Sequence, residues 1–299
     1  MDKTIIIGSR GSDLALWQAN HVKAQLESLG AECSIHIIKT KGDNIQHLSF
    51  DKIEGKGFFT KEIEEALLNQ EIDIAVHSHK DLETEQPEGL YIAAVSPRAN
   101  PCDLLLIAPE FVDDIEKFSL KKNAIVGTSS ARRKAQMLFH RPDVHLADIR
   151  GNVPTRVQKL RDGQFNAIML AKAGIDRLEL NLHDLHVVVL PAEEFVPAPA
   201  QGVLAIQCRS QDTEIINLLA KISDENVREL IHIERSVLNK MQGGCQLPLG
   251  VHVSKANNKF NAHVAHATAW DKPVNHFNLE NASSDDLISE ILKKIHDKA

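Results

Sequence analysis

Two periodicities alternate along the first two thirds of the chain. Short apolar runs rich in β-branched residues predict strands over 4–8, 33–39, 73–77 and 90–96, and apolar positions at helical spacing predict helices over 13–29 and 60–69. Gly30 stops the first helix, and acidic residues crowd the first turn of the second. The same grammar restarts after Pro101, with strands over 103–107, 124–127, 144–148, 167–170 and 187–190 separated by helices such as 131–139 and 153–161. Strands alternating with helices imply α/β units built on largely parallel sheets. Two such units are expected in tandem, the first from 1–100 with 203–221 and the second from 101–202. The stretch Val196-Pro197-Ala198-Pro199-Ala200 marks a crossing between them, and a strand over 203–208 is expected to return to the first sheet. A helix over 226–240, a glycine-rich loop, weaker strands and a last helix over 285–296 predict a small α+β domain over 222–299.

Composition narrows the class. The 299 residues are 43% hydrophobic and 25% charged, and no apolar run approaches the roughly 18 residues that span a bilayer. Neither a disordered chain nor a membrane partner is expected. Ile5-Ile6-Ile7-Gly8, directly after Met1-Asp2-Lys3, reads as a first core strand rather than an export signal, so the expected location is the cytoplasm. Cys33, Cys102, Cys208 and Cys245 lie far apart and form no CxxC pair, which argues against a disulfide scaffold or a zinc ribbon.

Net charge is −7, yet residues 132–177 hold ten basic residues against four acidic ones, a local +6. A solvated face and an anion-binding surface both fit such a run. Nucleic acid does not: aromatics are 4% of the chain and no nucleic-acid motif occurs. Arginine's planar fork suits small carboxylates.

Three strand–loop–helix junctions carry small polar and basic residues. They are Gly8-Ser9-Arg10-Gly11-Ser12, Gly127-Thr128-Ser129-Ser130-Ala131-Arg132-Arg133 and Asp148-Ile149-Arg150-Gly151-Asn152-Val153-Pro154-Thr155-Arg156. Helix N-termini with nearby guanidiniums bind anions. Plain helix capping explains the serines but not the arginines. His77 and His79, at i and i+2 on an extended strand, share a face and leave a metal-site reading open beside a structural one. Asp81, beside Lys80 at the end of that strand, is placed to steady a cation or move a proton, or is an exposed turn residue. Cys245 follows Gly243-Gly244 in a tight loop, where either covalent attachment or simple burial fits.

These motifs together resemble the porphobilinogen deaminase (hydroxymethylbilane synthase) family. IGSRGSDLALWQA, TKGD, EGKGFFTKEIEEALL, DIAVHSHKDL with PEGL, GTSSARRKAQ, DIRGNVPTRVQKL, AQGVLAIQCR and ERSVLNKMQGGCQLPLGVH occur in the family's order up to about residue 252. The resemblance implies two tandem periplasmic-binding-protein-like α/β domains plus a small C-terminal α+β domain. It implies a transferase of porphyrin and haem biosynthesis that joins four porphobilinogen units head to tail through polypyrrole intermediates, with loss of ammonia, as a monomer and without a metal. It further implies a dipyrromethane cofactor held by a thioether to Cys245.

Residue by residue, Asp81 matches the catalytic carboxylate that steadies a cationic azafulvene-like intermediate. Arg132 and Arg133, with Lys80, Ser12, Thr128 and Ser130, match positions holding the cofactor. Arg10, Arg150, Arg156, Arg177 and Phe59 match substrate-binding positions, and Lys52 and Lys56 an active-site loop. Three departures stand out: His79, Leu82 and Glu83 where the family has HSMKDVP, Ala200 where a glycine usually precedes Gln201-Gly202, and Phe58 for a common leucine. The competing reading is a two-lobed anion-binding protein without catalysis.

Overall fold

The computed structural model describes residues 3–40, 60–242 and 247–297. Lys52, Lys56, Phe58, Phe59 and Cys245 lie outside the described residues. Along the chain run β1 (Ile5–Ser9), α1 (Asp13–Ser28), β2 (Cys33–Ile37), α2 (Lys61–Leu68), β3 (Ile74–Ser78) and β4 (Leu90–Val95). Next come β5 (Asp103–Ile107), β6 (Ile125–Gly127), α3 (Ala131–His140), β7 (His145–Ala147), α4 (Val153–Arg161), β8 (Ala167–Ala171), α5 (Lys172–Leu178) and β9 (His186–Leu190). The rest comprises β10 (Leu204–Arg209), α6 (Thr213–Leu219), α7 (Glu225–Lys240), β11 (Leu249–Ala256), β12 (Lys259–His266), β13 (Asn275–Asn281) and α8 (Ser284–His296).

The first sheet has the order β2-β1-β3-β10-β4 and the second β7-β6-β8-β5-β9. In each, three parallel strands are followed by one antiparallel strand and an edge strand antiparallel to that one. The two orders are equivalent, with β10 and β5 in the same slot. The strand expected over 203–208 thus does return to the first sheet.

Strands covered on both faces read as continuous apolar runs, and all of β5 is buried. Leu104 and Leu106 face one side, packed with Val157 and Leu160 of α4 and Ile175 of α5. Leu105 and Ile107 face the other, packed with Met137 of α3. In the first sheet Ala19, Val22 and Leu26 of α1 cover one face with Ile215 and Leu219 of α6, and Ile63, Ala66 and Leu67 of α2 belong to a separate cluster. The antiparallel sheet β11-β12-β13 packs on Ile233 and Val237 of α7 and on Leu287, Ile288, Ile291 and Ile295 of α8. The architecture is mixed α/β with a small C-terminal antiparallel sheet.

Contacts between backbones divide the chain into two units. One holds the described residues before Asn100 with Gly202–Glu229, the other Asn100–Gln201 with Leu230 onwards.

Candidate active site

In the first unit the candidate residues gather where β1 and β3 end. Ser12 caps α1, its hydroxyl accepting the Ala15 N–H at 3.4 Å. β3 stops at Ser78, whose hydroxyl accepts from Gln18 Nε2 at 2.9 Å, and the chain then makes a 3-10 turn over His79–Asp81. Arg10, Ser12, His77, Ser78 and Asp81 line one pocket of about 110 Å3. Asp81 is exposed and Lys80 half-buried. A donor side and an acceptor side thus meet in one hollow.

The turn overturns one premise read from the sequence. His79 does not continue the strand, so His77 and His79 do not share an extended face. His77 stays in β3, opposite Ala205 of β10, with its Nε2 3.1 Å from Gln207 Oε1.

In the second unit the loops after β6 and β7 are tied together by Ser129, whose hydroxyl donates to the Ile149 carbonyl at 2.9 Å and accepts the Ile149 N–H at 3.0 Å. Thr128 is buried and accepts the Ser130 N–H, and Ser130 caps α3 by accepting the Arg133 N–H. Capping therefore does account for Ser12 and Ser130. Arg156 donates to the Gly151 carbonyl at 2.8 Å, while Lys159 donates to the carbonyl of Arg150 at 3.1 Å. Arg177 lies on α5, half-buried, and burial pushes its guanidinium pKa down.

Arg132 and Arg133 are nearly inaccessible, and both reach Asp103 at the start of β5. Arg132 Nη1 donates to Asp103 Oδ2 at 2.6 Å, and Arg133 Nη2 to Oδ1 at 2.7 Å. Their remaining bonds go to the carbonyls of Val196 and Met169. The two guanidiniums outweigh the buried Asp103 charge even so, because arginine does not deprotonate in proteins. They pull its carboxyl far below the usual range despite burial, which opposes ionisation. Arg132 Nε is buried with no hydrogen-bond partner among the described residues. The cluster therefore keeps a net positive charge, the chemistry that the carboxylates of a dipyrromethane would require of residues near them.

Four supporting residues were given no role by the sequence, although Gln136, Gln201 and Glu234 lie within the quoted motifs. Asp103 anchors the arginines, and Gln201 donates to it at 3.0 Å and to the Pro101 carbonyl at 2.6 Å. Gln136 grips both the N–H and the carbonyl of Val196. Glu234, fully buried, accepts the N–H groups of Ala200 at 2.7 Å and Val253 at 2.8 Å. Ala200 takes φ of 60°, in the left-handed region that favours glycine, and Gly202 follows at 91°. A Cβ on Gly202 would sit 2.5 Å from the Ala99 carbonyl oxygen. A larger hollow of about 490 Å3, between α4 and the segment after α5, contains none of the candidate residues.

The sequence profile of the "Porphobilinogen deaminase, dipyromethane cofactor binding domain" matches residues 5–217. The chain belongs to the porphobilinogen deaminase family. The porphobilinogen deaminase of Sulfurimonas denitrificans is 47% identical over 254 residues, covering 84% of this chain and 80% of that protein. That of Bacillus subtilis is 43% identical over 251 residues, covering 83% and 78%. Among solved structures, the periplasmic VFT2 domain of Bordetella pertussis BvgS aligns at TM-score 0.43 and 12% identity over 73% of this chain and 86% of that one. All three arginine-bearing junctions and Asp81 fall inside the stretch matched to the porphobilinogen deaminase cofactor-binding domain, whereas Cys245 lies beyond its end.

Proposed function

We propose that this chain converts four porphobilinogen molecules and one water into hydroxymethylbilane and four ammonia, on a dipyrromethane joined by a thioether to Cys245. The observation that carries this reading is the pocket in which Arg10, Ser12 and Asp81 meet at the ends of β1 and β3. A carboxylate beside carboxylate-binding groups suits a substrate that bears both acidic side chains and a pyrrole that becomes cationic. Asp81 steadies that positive charge by Coulomb attraction and holds a proton during loss of ammonia. Arg10, Arg150, Arg156 and Arg177, with Phe59, bind the acetate and propionate groups of incoming units. Arg132 and Arg133, with Lys80, Ser12, Thr128 and Ser130, hold the resident pyrroles, and Lys52 and Lys56 belong to a loop that covers the site. When bound, the dipyrromethane supplies the pyrrole end on which the chain grows.

The local charge of +6 over residues 132–177 supports an oligomer that gains carboxylates with each unit added. The enzyme acts as a monomer in the cytoplasm, on small pyrroles and polypyrrole intermediates, without nucleic acid or a membrane. Among the described residues no helix is long and apolar enough to cross one. We read three domains, 1–100 with 203–221, 101–202 and 222–299, a reading that the presence of three separate sheets supports.

Purified protein given porphobilinogen should release ammonia and form hydroxymethylbilane, read as uroporphyrin after acid oxidation. Tight binding of porphobilinogen with no ammonia released would favour a non-catalytic anion-binding protein instead.

A further inference from the structure

A chain of two amides, the half-buried Gln86 and the buried Gln207, fixes the protonation of His77. It begins at the backbone carbonyl of Glu83, which can only accept, and Gln86 Nε2 donates to it at 2.9 Å. Gln86 Oε1 therefore faces Gln207 and accepts from Gln207 Nε2 at 2.8 Å; the same nitrogen also lies 3.3 Å from Glu64 Oε1. Both contacts orient the Gln207 amide, leaving its Oε1 as the acceptor 3.1 Å from His77 Nε2. The proton of a neutral His77 thus sits on Nε2, and Nδ1 carries a lone pair. Gln207 is fully buried and His77 only 7% exposed, so this orientation does not compete with water. Burial, and the nearby Arg10 charge, hold the imidazole neutral with its pKa lowered to about 4. Nδ1 has no hydrogen-bond partner among the described residues, although the ring lines the pocket with Arg10, Ser12 and Asp81.

We propose that His77 is a specificity-determining residue whose Nδ1 accepts a hydrogen bond from an N–H of the pyrrole substrate. This rests on the porphobilinogen reading of the same pocket. Arg10 and Ser12 offer donors to carboxylates, whereas a lone pair repels carboxylate oxygens and rewards an N–H. The pocket therefore orients a ring that carries acids and N–H groups at different positions. Two N–H sources exist on porphobilinogen, the ring and the aminomethyl group.

Imidazole 15N shifts of the holoenzyme provide the test. At pH 7 His77 should show a protonated Nε2 and a bare Nδ1. Nδ1 should then shift toward the hydrogen-bonded range on addition of porphobilinogen to the slow Asp81→Asn variant. An analogue with methyl in place of aminomethyl, added to wild type, should give the same shift if the ring N–H is the donor, and none if the aminomethyl group is. His77→Gln keeps a donor near Gln207 but takes the acceptor away from the Nδ1 position, its amide oxygen lying elsewhere, so KM should rise roughly tenfold, the loss of one hydrogen bond, with a smaller change in kcat. Gln207→Leu should relax the tautomer preference in the 15N spectrum. A proton on Nδ1, or no shift with either ligand in an enzyme of normal wild-type activity, overturns the proposal. Wild-type protein that forms no hydroxymethylbilane overturns the functional reading itself, and the assay separates the two failures.

Discussion

Asp103 Oδ2 lies 2.6 Å from Arg132 Nη1, with the carboxylate wholly buried. The adjacent Arg133 shares the same anion through Oδ1. A strand residue thus preloads the two arginines with a partner, fixing their forks before any ligand arrives. Removing it strands two buried cations. Asp103→Ala should lower the unfolding free energy by about 3–5 kcal/mol, the usual cost of breaking a buried pair. Urea denaturation measures this, and a loss below about 1 kcal/mol would mean that the arginines find other partners.

Ala200 carries a testable strain. Its φ of 60° is one that an L-residue adopts at a cost of about 1–2 kcal/mol, offset in part by the greater unfolded-state freedom of glycine. Ala200→Gly should therefore leave the melting temperature unchanged or raise it by a few degrees. Ala200→Val should lower it clearly, because a β-branched side chain tolerates that conformation least. A Val variant as stable as wild type would show that the backbone relaxes there at no cost.

Acid should destabilise the fold before its carboxylates protonate. Burial lowers the pKa of His77 and of His276 to about 4; His140 and Lys117 lower His276 further, while Glu194 opposes them. Unfolded histidine takes its proton near 6.5, so between 6.5 and 4 the unfolded chain binds more protons and stability falls as pH drops. Their contribution is complete above 6.5. His276 stacks on Phe139 with ring centroids 4.9 Å apart, so His276→Phe keeps the packing and removes the titration. Its stability should depend less steeply on pH in that window. An unchanged slope would clear His276 of the effect.

Much of this architecture was legible in the chain. Strands such as 103–107 and helices such as 153–161 were bounded correctly because apolar runs, Pro154 and the Asn152 cap speak locally. α5 and α6 left no clear signal, being seven residues each, one of them interrupted by Gly174. His79 read as strand because alternation cannot register a 3-10 turn. Asp103 looked like the polar start of an apolar strand, since nothing at that position announces guanidiniums 29 and 30 residues further on. Glu234 was hidden likewise, its two N–H partners lying 34 and 19 residues away.

The role given to Asp81 makes its own demand. Asp81→Asn removes the charge while keeping shape, and losing a group that stabilises transition-state charge costs on the order of 100-fold or more in kcat. Because Asp81 is exposed and caps no core, the melting temperature should hold. Steady-state hydroxymethylbilane formation reads the first, thermal denaturation the second. Near-normal turnover would move the catalytic carboxylate elsewhere.

Denaturing mass spectrometry of the purified, active protein tests the central claim most directly. Wild type should carry the mass of a dipyrromethane that survives unfolding, peptide mapping should place it on Cys245, and Cys245→Ser should lose both the adduct and the activity. A fully active wild type with the bare polypeptide mass, or a Cys245→Ser variant that still turns over, would contradict the account.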